Sequence, residues 1–159
     1  MSVIAKILLY VVVLGIPFLA RSQSLCFQNP NTGPHYHNGS AGANYDVTAG
    51  DFNLDGHIDV VTANSVAGNI SFIPGNGDGT LGSPDTFTVV PTLFCINSAD
   101  FNQDGKLDIV TANGNGIYVL LGNGDGSFQP FVAYSGGGFP SRIYCKDIDA
   151  DGNIDVLEA

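Results

Sequence analysis

One nine-residue motif occurs three times in the sequence: DFNLDGHID at residues 51–59, DFNQDGKLD at 100–108 and DIDADGNID at 147–155. Successive copies begin 49 and 47 positions apart. The similarity extends beyond the motif, because VVTAN at 60–64 matches IVTAN at 109–113, and GNGDG occurs at both 75–79 and 122–126. A near-constant period of this length indicates a supersecondary unit that repeats as a whole.

Each repeat carries signals for short strands. Runs rich in Val, Ile, Thr and aromatic residues, bounded by Asp- and Gly-rich turns, predict strands at 45–49, 58–63, 69–74 and 87–90. Four strands in about 48 residues are typical of one β-propeller blade. No long 3.6-residue periodicity follows the N-terminal region. The sequence therefore predicts an all-β fold, an incomplete β-propeller of about three four-stranded blades with Asp-rich calcium loops.

The motif has the ligand chemistry of a calcium loop. Ca²⁺ takes six to eight oxygen ligands, and the motif offers Asp or Asn at positions 1, 3, 5 and 9, with a backbone carbonyl at position 7. Gly at position 6 permits a sharp turn. We predict about three Ca²⁺ ions, one per loop, with His57, Lys106 and Asn153 acting through their carbonyls. The predicted ligands are Asp51, Asn53, Asp55, His57 and Asp59; Asp100, Asn102, Asp104, Lys106 and Asp108; and Asp147, Asp149, Asp151, Asn153 and Asp155.

The loops admit two other interpretations. If the Asp and Asn residues only formed Asx turns, three or four carboxylates would crowd together without a counter-ion. The third loop also fits an EF-hand, because Glu158 stands at position 12, but its β-rich flanks do not suit a helix-loop-helix unit. The apolar residues at position 8, Ile58, Leu107 and Ile154, are expected to anchor the loops to the core.

The charge of the chain agrees with metal binding. The formal net charge is −10, and ten of the 15 acidic residues lie in the three motif copies. Three bound Ca²⁺ ions would add six positive charges and bring the total from −10 to −4. Such an acidic chain repels a phosphate backbone, so we expect no nucleic-acid partner.

The N-terminus resembles an export signal. Lys6 precedes an apolar run at 7–20 that is too short to span a bilayer comfortably, although an uncleaved anchor stays open. We therefore expect a secreted or cell-surface protein with no membrane span in the mature chain. The predicted segments are a signal peptide at 1–22, a linker or first strand at 23–43, and repeats over 44–159, divided at about 44–92, 93–139 and a partial 140–159.

Three cysteines remain after such cleavage, Cys26, Cys95 and Cys145. An odd number leaves one unpaired within the chain. Two interpretations of Cys95 and Cys145 stay open. They could form a disulfide between neighbouring blades, or they could be two buried thiols. His35 and His37 suggest only a weak zinc site, since no third ligand is evident.

The motif and the turn LLGNGDGSF at 120–128 strongly resemble FG-GAP and VCBS-type repeats, which are related to the calcium-loaded blades of the integrin α-subunit propeller. The resemblance covers roughly residues 44–159 and implies calcium at the Asp and Asn side chains of all three loops. The third copy differs from the other two, because it has Ile148 in place of Phe and Asp149 in place of Asn. The Phe-Gly and Gly-Ala-Pro signatures of the family are not intact in this sequence. Since propellers close with about four to eight blades, we expect further blades or oligomerisation to be needed.

The sequence shows no Ser-His-Asp constellation, and its carboxylates are already assigned to calcium, so we expect no enzymatic activity. The leading hypothesis is a secreted calcium-binding β-repeat module that recognises an extracellular protein or glycan. The recognition role follows from the family resemblance. The alternative is a propeller appendage or fragment of a larger secreted enzyme, such as a lyase or hydrolase.

Overall fold

Residues 44–136 and 138–159 are described by the computed structural model, with the backbone alone for residues 44 and 45. This part of the chain contains ten strands and no helix, as predicted for an all-β fold. The strands are β1 (Asn44–Gly50), β2 (Asp59–Asn64), β3 (Asn69–Ile73), β4 (Asp85–Thr88), β5 (Cys95–Ala99), β6 (Asp108–Asn113), β7 (Gly116–Leu120), β8 (Val132–Tyr134), β9 (Ile143–Lys146) and β10 (Asp155–Glu158).

The strands form antiparallel meanders that follow the sequence repeat. Strands β1 to β4 make one four-stranded sheet and β5 to β8 a second, each in chain order, while β9 pairs with β10. We call these sheets blades 1, 2 and 3. Two blades therefore have the predicted four strands, and blade 3 has two among the described residues.

The pairing register is the same in blades 1 and 2. Val60 faces Ile73 in blade 1, and Ile109 faces Leu120 at the equivalent position of blade 2. Strand β4 differs from the prediction of 87–90, because its ladder with β3 ends where Thr88 faces Asn69. Beyond that point Val89 is buried, and its N–H donates to the Gly68 carbonyl at 2.9 Å.

Blades 1 and 2 bury a shared apolar core. Alternate side chains of each strand point to the neighbouring blade, as the two-residue period of a strand requires. All members of this core are at most 7% exposed. Its strand residues are Val61, Ala63, Ile70 and Phe72 from blade 1, and Ile96, Ile109, Tyr118 and Leu120 from blade 2.

A smaller core lies between blades 2 and 3. Cys95, Val110, Ala112 and Ile143 are buried there, and partly buried side chains surround them. Both Cys95 and Cys145 are free thiols, and burial raises the pKa of each to about 11. Of the two open interpretations, the structure therefore has free thiols, of which Cys95 is buried and Cys145 half-buried.

The first strands of the three blades lie side by side. The Ile96 N–H on β5 donates to Asp46 on β1 at 3.1 Å, and the hydroxyls of Thr48 and Ser98 lie 2.8 Å apart. Between β5 and β9, the Asn97 amide donates to the Ile143 carbonyl at 3.0 Å. These polar contacts fix the lateral position of each blade against the next.

The anchoring role predicted for position 8 is wrong for Ile58, which is 64% exposed. Its counterpart Leu107 packs against the core between blades 1 and 2 and lies against Gly50 of blade 1. The physical reason is that position 8 reaches the preceding blade. Among the described residues no blade precedes blade 1, so Ile58 has no such surface to cover.

In the part of the chain that the structure describes, no helix is long and apolar enough to cross a membrane. The predicted signal peptide at 1–22 and the predicted linker or first strand at 23–43 lie outside the described residues, which begin with β1 at residue 44. The same holds for Cys26, His35 and His37.

Equivalent phenylalanines should differ in their contribution to stability. Phe52 is 2% exposed between blades 1 and 2, whereas its counterpart Phe101 is only partly buried beside blade 3. We expect Phe52→Ala to lower the free energy of unfolding by about 3–5 kcal/mol, and Phe101→Ala by clearly less. Urea unfolding followed by tyrosine fluorescence would measure both, and equal losses would contradict the difference in packing.

Candidate metal centres

Each motif copy connects the first strand of a blade to the second. The loops join β1 to β2, β5 to β6 and β9 to β10, and position 9 is the first residue of the following strand. A strand on each side fixes both ends of every loop. The three loops therefore occupy the same place in their blades and can be compared position by position.

The first Asp of each loop accepts two backbone hydrogen bonds. In loop 1, Asp51 accepts from the N–H of Asp55 at 3.1 Å and of Gly56 at 2.9 Å. Asp100 and Asp147 accept from the same positions of their loops, at 2.8–3.1 Å and 3.0–3.2 Å. The chain thus curls around the first carboxylate in all three copies.

Positions 3 and 5 continue this arrangement. The N–H of Asp55 also donates to Asn53 at 3.1 Å, and the N–H of His57 donates to Asp55 at 2.8 Å. The same two bonds form in loops 2 and 3. The side chains at positions 1, 3 and 5 therefore converge on the inside of each loop, as Asx turns arrange them.

Loop 3 differs in the charge that it gathers. In loops 1 and 2 the amide of Asn53 or Asn102 donates to the position 5 carboxylate, at 2.8 and 3.1 Å. Loop 3 has Asp149 instead, and one carboxylate oxygen each of Asp147, Asp149 and Asp151 lies within 4.8 Å of the others. This group of three could hold a metal ion, since oxygen ligands around a hard cation are about this close to one another.

The position 5 carboxylates are held in the charged form. The backbone N–H of His57, followed by the Asn53 amide, lowers the pKa of Asp55. The backbone N–H of Asn153 likewise lowers the pKa of Asp151. Hydrogen bonds to a carboxylate favour its ionised state, which is the state that ligates metals.

Position 9 has a different environment from positions 1, 3 and 5. Asp59 is fully buried and accepts from the N–H of Phe52 at 2.9 Å and of Gly75 at 2.8 Å. Asp108 is equally buried and accepts from Phe101 and Gly122 at 2.9 and 2.8 Å. Each carboxylate thereby connects its motif loop to the Gly-Asn-Gly-Asp-Gly turn that follows the third strand of the same blade.

Burial and hydrogen bonding act in opposite directions on Asp108. Desolvation by burial raises the pKa of its carboxyl, and the N–H groups of Gly122 and Phe101 lower it, with a net rise. In loop 3, Asp155 is partly buried and accepts from Ile148 at 2.9 Å. The group of three acidic residues in that loop does not include Asp155.

In loops 1 and 2 the side chain at position 7 extends toward a glycine turn. The imidazole of His57 lies against Gly77, and the Lys106 stem lies against Gly124, in the glycine turns of their blades. Lys106 also forms an ion pair with Asp104, with an N–O distance of 3.6 Å. Such positions are compatible with ligation through the carbonyl, which stays a prediction for His57, Lys106 and Asn153.

Two features of the loops were not evident from the sequence. Position 4 adopts a left-handed backbone, with φ of 60° at Leu54, 60° at Gln103 and 61° at Ala150. These residue types give no signal for it, since Gly, Asn or Asp normally favours this region. In addition, the Gln103 amide donates to loop 3, at 3.0 Å to the Gly152 carbonyl and 3.1 Å to Asn153 Oδ1.

The FG-GAP-like repeat model matches the chain twice, at residues 51–111 and 100–158. Together the two matches cover more than half of the sequence. The chain belongs to the FG-GAP-like repeat family. The resemblance inferred from the motif and the glycine turn is thereby confirmed. Each match begins at the first Asp of a loop and extends through the next loop into the strand that follows it. No curated protein matches the chain significantly.

The buried carboxylate at position 9 should stabilise the fold independently of metal. An Asn side chain at residue 108 keeps one acceptor oxygen, but its NH₂ group faces a second N–H donor. We expect Asp108→Asn to lower the free energy of unfolding by roughly 1–3 kcal/mol in the presence of a chelator. Asp85→Asn, at an exposed position of β4, removes the same charge and should have little effect in the same urea titration.

Proposed function

We propose that this FG-GAP-like chain is a secreted, calcium-binding and non-enzymatic β-repeat module that recognises an extracellular protein or glycan. The observation that carries the calcium assignment is the group of Asp147, Asp149 and Asp151 in loop 3. Its backbone hydrogen bonds recur at the same positions of loops 1 and 2. In this proposal all three loops bind Ca²⁺ and become rigid by doing so.

The donor chemistry favours calcium over transition metals. Positions 1, 3 and 5 supply carboxylate and amide oxygens, and the predicted ligands at position 7 are carbonyl oxygens. Hard cations prefer oxygen ligands, whereas zinc and copper sites normally contain imidazole or thiolate. The thiols of Cys95 and Cys145 lie in the core between blades 2 and 3, where they pack as apolar groups.

Backbone hydrogen bonds within each loop hold its oxygen ligands in an arrangement that suits an ion. The N–H groups at positions 5, 6 and 7 donate to carboxylate or amide oxygens of positions 1, 3 and 5 in every copy. Each carboxylate oxygen keeps a further lone pair, because it can accept more than one bond. A bound cation would use these lone pairs and remove the repulsion among the carboxylates.

The proposed recognition role and extracellular location are supported by the family and by the N-terminal sequence. FG-GAP repeats are typical of extracellular or surface proteins, and the predicted signal peptide agrees with export. Three exposed loops at equivalent positions of adjacent blades offer a surface that calcium would hold in one conformation. The absence of enzymatic activity remains part of the proposal, since the carboxylates that could act as acids or bases are engaged in the loops.

Calcium should stabilise the folded chain. Because a ligand that binds only the native state raises its stability, the melting temperature should increase with calcium concentration above that of the chelated protein. Isothermal titration calorimetry should give about three ions per chain, one for each loop. Asp104→Ala removes a predicted ligand and should lower the stoichiometry to about two. An unchanged stoichiometry and affinity in this variant would contradict the assignment.

Loop 3 should have the highest calcium affinity, because affinity rises with the number of charged ligands. It carries Asp149 where loops 1 and 2 have Asn53 and Asn102. We expect Asp149→Asn to weaken the tightest site about tenfold, and Asn102→Asp to strengthen loop 2 by a similar factor. Calorimetric titrations of the two variants form a matched pair, since they exchange the same two side chains. A stronger site in Asp149→Asn would refute the ranking.

A further inference from the structure

Position 4 of loop 2 carries a side chain that reaches the neighbouring loop. Gln103 stands between Asn102 and Asp104, two of the predicted calcium ligands of loop 2. Its amide donates to the Gly152 carbonyl at 3.0 Å and to Asn153 Oδ1 at 3.1 Å. A glutamine NH₂ group has two N–H donors, so both are used on loop 3. Loop 2 thus holds a part of loop 3 that lies 49 and 50 residues further along the chain.

The two contacts fall on the part of loop 3 that orients Asp151. The Gly152 carbonyl and the Asn153 N–H belong to one peptide group, and this N–H donates to Asp151 at 2.7 Å. The same backbone bond, followed by a hydrogen bond from the Asn153 side chain, lowers the pKa of Asp151. An amide that accepts one hydrogen bond is polarised and becomes a better donor of the next. Gln103 is therefore connected to Asp151 by two routes, one through the backbone and one through the Asn153 side chain.

Asp151 and its neighbours form the group of three carboxylates that could hold a metal ion. The residue whose carbonyl accepts from Gln103, Gly152, also donates its N–H to Asp147 of this group at 3.0 Å. The segment that Gln103 contacts therefore orients two of the three carboxylates. A segment that is already held in place loses less conformational freedom when a ligand binds, which favours binding.

The same position of loop 1 has different chemistry. Leu54 has the same left-handed backbone as Gln103, with φ of 60° at both residues. Its side chain has no hydrogen-bonding group, is 56% exposed and lies against Gly124 in the glycine turn of blade 2. The hydrogen-bonded bridge between loops 2 and 3 therefore depends on the glutamine and is not a general consequence of the repeat.

We infer that Gln103 is a positioning residue for the cation site of loop 3 and that it couples this site to loop 2. This inference rests on the proposed calcium binding of the loops. Because Gln103 is flanked by ligands of loop 2, filling of loop 2 orders its backbone and holds its amide toward loop 3. Coupling between two binding sites is reciprocal, so filling of loop 3 strengthens binding in loop 2 by the same factor.

The test follows each loop of the full chain separately during a calcium titration. In nitrogen–proton correlation spectra, the amide signals of Gly105 and Gly152 report on loops 2 and 3, because both N–H groups donate to the first Asp of their loops. Gln103→Leu introduces the residue that loop 1 has at this position, and it should weaken calcium binding at loop 3 about fivefold. Gln129→Leu makes the same change at an exposed position and should leave binding unchanged.

A second set of variants separates coupling from a general structural effect. Asp104→Ala removes a predicted ligand from loop 2, and it should weaken calcium binding at loop 3 about fivefold in the otherwise unchanged chain. In a chain that also carries Gln103→Leu, the effect of Asp104→Ala on loop 3 should be less than about twofold. Gln103→Met has a long side chain without a donor and should behave like Gln103→Leu.

The outcomes distinguish this inference from the proposed function. Binding at loop 3 that is as tight in Gln103→Leu and Gln103→Met as in the unchanged chain would overturn the inference. An equal effect of Asp104→Ala with and without Gln103 would also overturn it. If the Gly105 and Gly152 signals do not respond to calcium in the unchanged chain, the proposed calcium binding is wrong, and the inference is wrong with it.

Discussion

The buried carboxylate at position 9 is the interaction on which each complete blade depends. Asp59 and Asp108 each bind two backbone N–H groups that are far apart in the sequence, one in the loop and one in the glycine turn. A buried carboxylate is costly unless its oxygens are hydrogen-bonded, and here both are. The same bonds satisfy two N–H groups that no strand neighbour reaches. Loop, second strand and turn are thereby held as one unit.

This arrangement separates two roles within one nine-residue motif. The side chains at positions 1, 3 and 5 converge on the interior of the loop, and those of loop 3 form a group that could hold a metal ion. The side chain at position 9 instead points into the blade. Backbone hydrogen bonds hold the loop in this shape, and under the proposed function a bound cation adds to its stability. The amide of Gln103 further connects loop 2 to loop 3 by two hydrogen bonds.

The motif and its period were sufficient to predict the all-β class, the four strands of a repeat and the convergence of the loop side chains. Those features depend on local residue types, such as Gly at position 6 and the glycine turn. The left-handed backbone at Leu54 was not predictable, because leucine does not favour it and the surrounding hydrogen bonds impose it. The exposure of Ile58 was missed for another reason, since the burial of position 8 depends on a neighbouring blade.

Repeats that share one motif thus become different through their neighbours. In a repeat architecture each unit contacts mainly the units beside it, so its stability is the sum of an internal part and its interfaces. Phe52 and Phe101 occupy the same position, yet one is enclosed by a strand and turn and the other borders a cavity. Of the two interfaces among the described residues, the one between blades 2 and 3 has the smaller core. Local opening should therefore begin there, because the free energy of opening follows the apolar contacts that a region makes.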